Sequence, residues 1–260
     1  MKKRSIIAWA FLAAWTWSLF SCGTRPSPKT LTLMTYNVGA FSKYEDNSTA
    51  GVARLILDNG VQLAALNELD SCNRRHNSFQ LKDLAAELGD WQYLFASAFP
   101  YAGGAYGNGV VSSAPIEKHY RIALPRGDGS EPRSVAVAET ADCVFASVHL
   151  DHKSQAAALE QMKTVNDWFG KVYAGSKKPV FLCGDFNVVP EDEVIALART
   201  QWTLLSGTAF THSTHHPKHC IDYIFALQDA APVEVLDVRV LTEGTEELSD
   251  HFPILMNVKF

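Results

Sequence analysis

No Gly-rich phosphate loop follows the first apolar run of this 260-residue chain, and no Lys/Arg stripe marks a face. No repeat, low-complexity block or long linker appears after residue 30. Each absence removes a class of protein. Without a glycine fingerprint after the first strand, a doubly wound dinucleotide-binding fold is excluded. Without a basic stripe, the usual footprint of a protein that grips a nucleic-acid backbone is missing. With no boundary signal, 47% hydrophobic and 20% charged residues fit one globular domain.

Long apolar runs are scarce, and the one at the N-terminus is too short to span a bilayer comfortably. MKKR followed by the 15-residue run IIAWAFLAAWTWSLF predicts a signal peptide over residues 1–21. Leu19, Phe20 and Ser21 before Cys22 resemble a bacterial lipobox, with Phe20 the looser match. Cys22 is therefore expected to carry lipid and residues 22–30 to form a tether. The protein would then be a membrane-anchored lipoprotein outside the cytoplasm, in the periplasm or at the cell surface. Cleavage by an ordinary signal peptidase and an uncleaved anchor are the alternatives. Loss of residues 1–21 removes Lys2, Lys3 and Arg4, leaving 20 basic against 28 acidic residues, a net −8. Cys72, Cys143, Cys183 and Cys220 remain in a compartment that permits disulfides. Cys143 and Cys183 sit in apolar runs and read as buried thiols; no pairing can be chosen from sequence.

Strand-like and helix-like patterns alternate over residues 31–260. Strands are expected at 31–36, 63–66, 93–99, 109–113, 134–140, 143–149 and 179–184, with three more closing the chain at 220–226, 233–241 and 252–260. Helices are expected at 50–60, 80–89 and 154–169, and another opening at Pro190. Direct strand–strand connections mixed with strand–helix units predict an α/β fold of two sheets packed face to face, helices outside.

Chemistry-bearing residues fall where the apolar runs end. Asn37, Glu68, His149, Asp185, Asn187, Asp222, Asp250 and His251 all occupy such positions, and rigid strand ends hold catalytic groups well. Each has a plain alternative: Asn37 in an Asx-turn, Glu68 as a solvated strand end, Asp185 as a helix cap, His149 as hydrogen-bonded structure. Together they form a kit for metal-assisted phosphoryl hydrolysis, with hard oxygen donors for Mg²⁺ and a His beside a carboxylate to move a proton.

TYN at 35–37, NE at 67–68, HLDH at 149–152, GDFN at 184–187, IDYIF at 221–225 and SDHFP at 249–253 resemble the endonuclease/exonuclease/phosphatase superfamily, in its order and over essentially the whole mature chain. The resemblance implies a domain over residues 31–260 that is a four-layer α/β sandwich with two mixed sheets. It implies Glu68 as principal ligand of Mg²⁺, for which Mn²⁺ could substitute, with Asn37 and Asp250 in or near the metal's coordination sphere. His251 resembles the general base and Asp222 the carboxylate that orients it. Asp185 would position or help deprotonate water, Asn187 would donate to the phosphoryl oxygens, and His149 would face the scissile phosphate as charge-stabiliser or acid. Asp151 and His152 are read either as substrate contacts or as hydrogen-bonding loop residues. Asn108 is read either as a substrate contact or, between Gly107 and Gly109, as part of a tight turn.

Two departures stand out. Asn67 replaces the more usual Gln, keeping an amide beside Glu68. THSTHHPKHC at 211–220 carries His212, His215, His216 and His219, read as a solvated substrate-facing loop rather than a second metal site. A monomeric phosphoesterase acting on lipid head groups or small organic phosphates is expected. An exported endonuclease and a non-catalytic binding module on the same fold are the other readings.

Overall fold

A computed structural model describes residues 28–260; the expected signal peptide, Cys22 and the expected tether up to residue 27 lie outside the described residues. Strand β1 (Thr30–Asn37), helix α1 (Thr49–Asp58), β2 (Leu63–Ser71), α2 (Gln80–Glu87), β3 (Gln92–Tyr101) and β4 (Gly104–Ser112) form most of one sheet and its outer layer. Then β5 (Lys118–Leu124), β6 (Arg133–Glu139), β7 (Val144–His149), α3 (Gln155–Tyr173), β8 (Val180–Asp185), α4 (Glu193–Ala198), β9 (Trp202–Leu204) and β10 (Asp222–Leu227) form the second. The chain returns to the first sheet with β11 (Glu234–Val240) and β12 (Ile254–Lys259). Among the described residues no helix is long and apolar enough to cross a membrane.

The strand orders are β11-β12-β1-β2-β4-β3 and β5-β6-β7-β8-β10-β9. Period-two alternation sends successive apolar side chains to opposite faces. Leu33, Leu63 and Ala65 enter the seam between the sheets, with Phe145, Phe181 and Ile224 from the other side. Met34, Ala64 and Leu66 face α1 and α2, while Val148, Leu182 and Phe225 face α3 and α4. Three apolar seams thus join four layers, the α/β sandwich expected.

Each sheet contains one parallel pair at its centre, β1/β2 and β7/β8, and antiparallel neighbours around it. Helix α1 makes the crossover in one and α3 in the other. The two halves share this plan without a sequence repeat. Parallel strands deliver their C-terminal ends to one edge, and their antiparallel neighbours β10 and β12 start at that same edge. This is why strand-end residues far apart in sequence converge.

Some elements differ from expectation. Strand β2 does not stop at Leu66; a bulge between Leu66 and Leu69 holds Asn67 and Glu68, and pairing with β4 then resumes. Glu68 takes a φ of +59° there, so the bulge aims its side chain. Gly107 and Gly109 lie within β4 rather than in a turn: a Cβ on Gly107 would sit 2.1 Å from the Ala96 carbonyl oxygen. Helix α4 starts after Pro190, with Asp192 as the cap on the Val194 N–H, so Asp185 caps nothing. Strands β5 and β9 carry no period-two signal: β5 is a charged edge strand and β9 has three residues. Cys72, Cys143, Cys183 and Cys220 are free, and all but Cys72 are buried.

Candidate active site

The site is assembled around an amide that stitches the sheets together. Asn67 donates to the Val148 carbonyl (2.9 Å) and accepts the Asp185 backbone N–H (3.0 Å) through its Oδ1. The ends of β2, β7 and β8 are thereby locked at fixed spacing. Registers place Asn37 beside Asn67, His149 beside Asp185, and Asp222 opposite Asp185. A cavity of about 250 Å³ opens over them, lined by Glu68, Tyr106, Glu131, Arg133, His149, His152, Asp185, Asn187, His212, Ile221, Asp250 and His251.

Asn37 lies at the floor, its Nδ2 donating to Glu68 Oε1 (3.1 Å) and Asp185 Oδ2 (3.0 Å). Its Oδ1 accepts the Gly39 N–H at 3.1 Å. It therefore turns an NH₂, which cannot ligate a cation, towards the cluster. Asn37 holds two carboxylates in place beside the cavity, and its Oδ1 makes the Asx-turn as well.

Asp185 is buried, with Oδ1 accepting the Asn187 N–H (2.8 Å) and Oδ2 facing both His149 Nε2 (3.6 Å) and His251 Nε2 (3.7 Å). Burial, with Asp222 adding to it, pushes its carboxyl up to about 6 against the opposing pull of His251, Asn37 and Asn187. Across the cavity, His251 Nδ1 donates to Asp222 Oδ2 at 2.9 Å, and Thr211 Oγ1 donates to the same oxygen at 2.6 Å. Burial disfavours the His251 imidazolium, but Asp222, Asp185 and Asp250 outweigh it and raise it to about 10. At neutral pH the pair is therefore an ionised Asp185 facing a protonated His251. The pair thus sets a carboxylate against a cation across the cavity, with Asp222 behind His251.

His149 is held the other way. Burial and then the adjacent Arg133 keep its pKa well below the ordinary value, so it is a neutral donor and no imidazolium. Asn187, at φ +56°, donates to the Leu150 carbonyl (3.1 Å) and keeps its second amide hydrogen for the cavity. Glu68 is raised, chiefly by burial, with Asp185 and Asp250 adding to the effect against Asn37 and His251. Asp250 is lowered despite burial because Lys43 Nζ sits 2.6 Å from its Oδ2 and His251 adjoins it.

Asn108 and Asp151, each read either as a substrate contact or as a structural residue, do not line the cavity. Asn108 is buried between the sheets and donates to the Ser134 carbonyl at 2.7 Å. Asp151 spends both oxygens on the Ser130, Lys153 and Ser154 backbone N–H groups (2.8–2.9 Å) and organises the loop before α3. His152 does line it, beside Arg133. In the histidine-rich loop only His212 reaches the cavity, joined to the His251 segment by a β-bridge. His215 instead stacks on Tyr44 and pairs with Glu247. Arg133, Tyr106, Lys43 and Thr211 escaped the sequence reading, because nothing local distinguishes a catalytic Arg or Tyr at a strand end from a surface one.

The residues fit a divalent ion. Glu68, Asp185 and Asp250 press on one another around one cavity, and a dication relieves that repulsion.

Comparison with known proteins agrees with this fold and family pattern. The profile of the Endonuclease/Exonuclease/phosphatase family matches residues 34–251. A functionally unknown conserved protein from Enterococcus faecalis superposes with a TM-score of 0.71 at 22% identity, covering 88% of this chain and 99% of that one. A mannosyl-6-phosphatase from Bacteroides thetaiotaomicron gives 0.72 at 19% identity, covering 88% and 100%. The human nocturnin catalytic domain with bound sulfate gives 0.69 at 17%, covering 88% and 93%. No curated protein matches the chain.

Proposed function

The chain belongs to the endonuclease/exonuclease/phosphatase family, and on that premise we propose that it is a Mg²⁺-dependent phosphoesterase of the cell envelope, acting on lipid head groups or small organic phosphates. The convergence of Glu68, His149, Asp185 and the Asp222–His251 pair on one cavity carries this reading. Glu68 and Asp250 would hold the ion, with Asn37 fixing Glu68 from behind. When bound, Mg²⁺ supplies Lewis-acid polarisation of the phosphoryl group.

The protein groups divide the remaining work. Asp185 orients the attacking water and takes its proton, since its raised carboxyl lies close to working pH. His251, held cationic by Asp222, faces charge that develops on the phosphoryl oxygens. His149 and Asn187 add neutral hydrogen-bond donors. Net acidity and the short cavity support small substrates over a polyanion track.

Mature protein is expected to hydrolyse bis-p-nitrophenyl phosphate with Mg²⁺, and EDTA to abolish turnover. His251→Ala should cost about a hundredfold or more in kcat, with circular dichroism unchanged; full activity in that variant overturns the assignment. Plasmid nicking at physiological salt would point instead to the nuclease reading. The tether is tested by Cys22→Ser, expected to move the protein from the membrane to the soluble fraction; unchanged partitioning removes the lipid anchor.

A further inference from the structure

Arg133 is only 3% exposed and is placed without a close counter-ion. Its ion pair among the described residues is with Glu131 Oε2, 3.5 Å away and itself more than a third exposed at the cavity mouth. A long, solvated pair of that kind does little to offset a buried charge. Instead of a carboxylate, the guanidinium meets two imidazoles: one terminal nitrogen lies 3.2 Å from His149 Nδ1 and the other 3.1 Å from His152 Nδ1. Its Nε is buried with no hydrogen-bond partner among the described residues.

A guanidinium has donors and no acceptor. Both rings must therefore accept at Nδ1, which places the proton of each on Nε2. One arginine thus sets the tautomer of two histidines and leaves both as N–H donors lining the cavity. With the free amide hydrogen of Asn187, these residues present donors and a buried positive charge that Glu131 offsets only at 3.5 Å.

We propose that Arg133 is the specificity-determining residue of the site, fixing His149 and His152 as donors and supplying the buried charge that selects a phosphomonoester dianion over a phosphodiester. The inference rests on the phosphoesterase reading. A terminal phosphate offers three unsubstituted oxygens to the donors of Arg133, His149, His152 and Asn187 and brings a second negative charge to the buried guanidinium. A diester carries one charge fewer and one unsubstituted oxygen fewer. Arg133 acts through the two histidine rings and through its charge.

The test compares p-nitrophenyl phosphate with bis-p-nitrophenyl phosphate at pH 8, where the monoester is dianionic, for wild type, Arg133→Gln and Arg133→Lys. Wild type is expected to favour the monoester, and Arg133→Gln to lower kcat/KM on it by about 100-fold while lowering the diester by about tenfold or less. Arg133→Lys, which keeps the charge, should recover part of the monoester rate. Ring ¹⁵N shifts should report protons on Nε2 of both histidines in wild type, and His149 should lose that uniform state in Arg133→Gln. Titration of metal-free protein with inorganic phosphate should show binding that Arg133→Gln abolishes. Glucose 6-phosphate and vesicles containing phosphatidic acid, run alongside, separate a soluble from a lipid source of the terminal phosphate. Equal losses on both esters, or a proton on Nδ1 of either histidine in wild type, overturn the proposal. Wild type that binds phosphate yet turns over neither ester overturns the phosphoesterase reading and leaves the anion subsite standing.

Discussion

Asp185→Asn is expected to lower kcat on a phosphoester by about a thousandfold. The substitution keeps the shape of the side chain and the acceptor for the Asn187 N–H, but removes the oxygen that faces both His149 and His251. It also removes the group proposed to accept the proton. In wild type, burial keeps the Asp185 carboxyl protonated well above the usual carboxylate range, so activity should climb as pH rises through about 6. It should fall again at the alkaline end as His251 loses its proton near 10. Asp185→Asn should lose the acid limb, and its alkaline limb should move to lower pH because Asp185 is one of the carboxylates that keep His251 protonated. A pH–rate profile of kcat/KM on both proteins reads this directly. A wild-type acid limb at the ordinary carboxylate value, or an active variant, would show that another group takes the proton.

Gly184→Ala should be the most damaging single methyl group in the chain. Gly184 has a φ of +140°, and a Cβ there would lie 1.9 Å from the Val148 carbonyl oxygen, on the strand paired with β8. Neither the backbone strain nor the clash can relax without opening the β7–β8 pair. Those two strands end in His149 and Asp185, so stability and site geometry fail together. The expected loss is about 3 kcal/mol or more, which lowers the melting temperature by roughly 6–12 °C for a domain of this size. Gly175→Ala is the control: its φ is +70° but nothing lies within 4 Å of the added Cβ. That variant should lose only about 1 kcal/mol. Calorimetry on the two variants separates clash from strain, and equal melting temperatures would remove the close-approach argument for Gly184.

Much of the site was legible in the chain itself. Glu68, Asp185, Asp222 and His251 stand at the ends of apolar runs, and a strand end is a local property that composition and alternation reveal. The layers were legible for the same reason, since Leu33 and Met34 alternate before any partner strand is known. Edge strands β5 and β9 were not, because a strand with one wet face and charged residues has no apolar period to read.

What the tertiary structure alone decided is which atom each side chain offers. The sequence places an amide at Asn37 but not that its oxygen goes to Gly39 and its nitrogen to the carboxylates. It places Asp151 beside His149, yet the loop before α3 takes both of its oxygens. Arg133 opens an ordinary strand, and only the pairing of β6 with β7 sets its guanidinium against the two histidines. The identity and order of the reacting groups are written locally, whereas protonation, tautomer and counter-charge depend on neighbours tens to hundreds of residues away. Those neighbours exist only once two sheets close on each other.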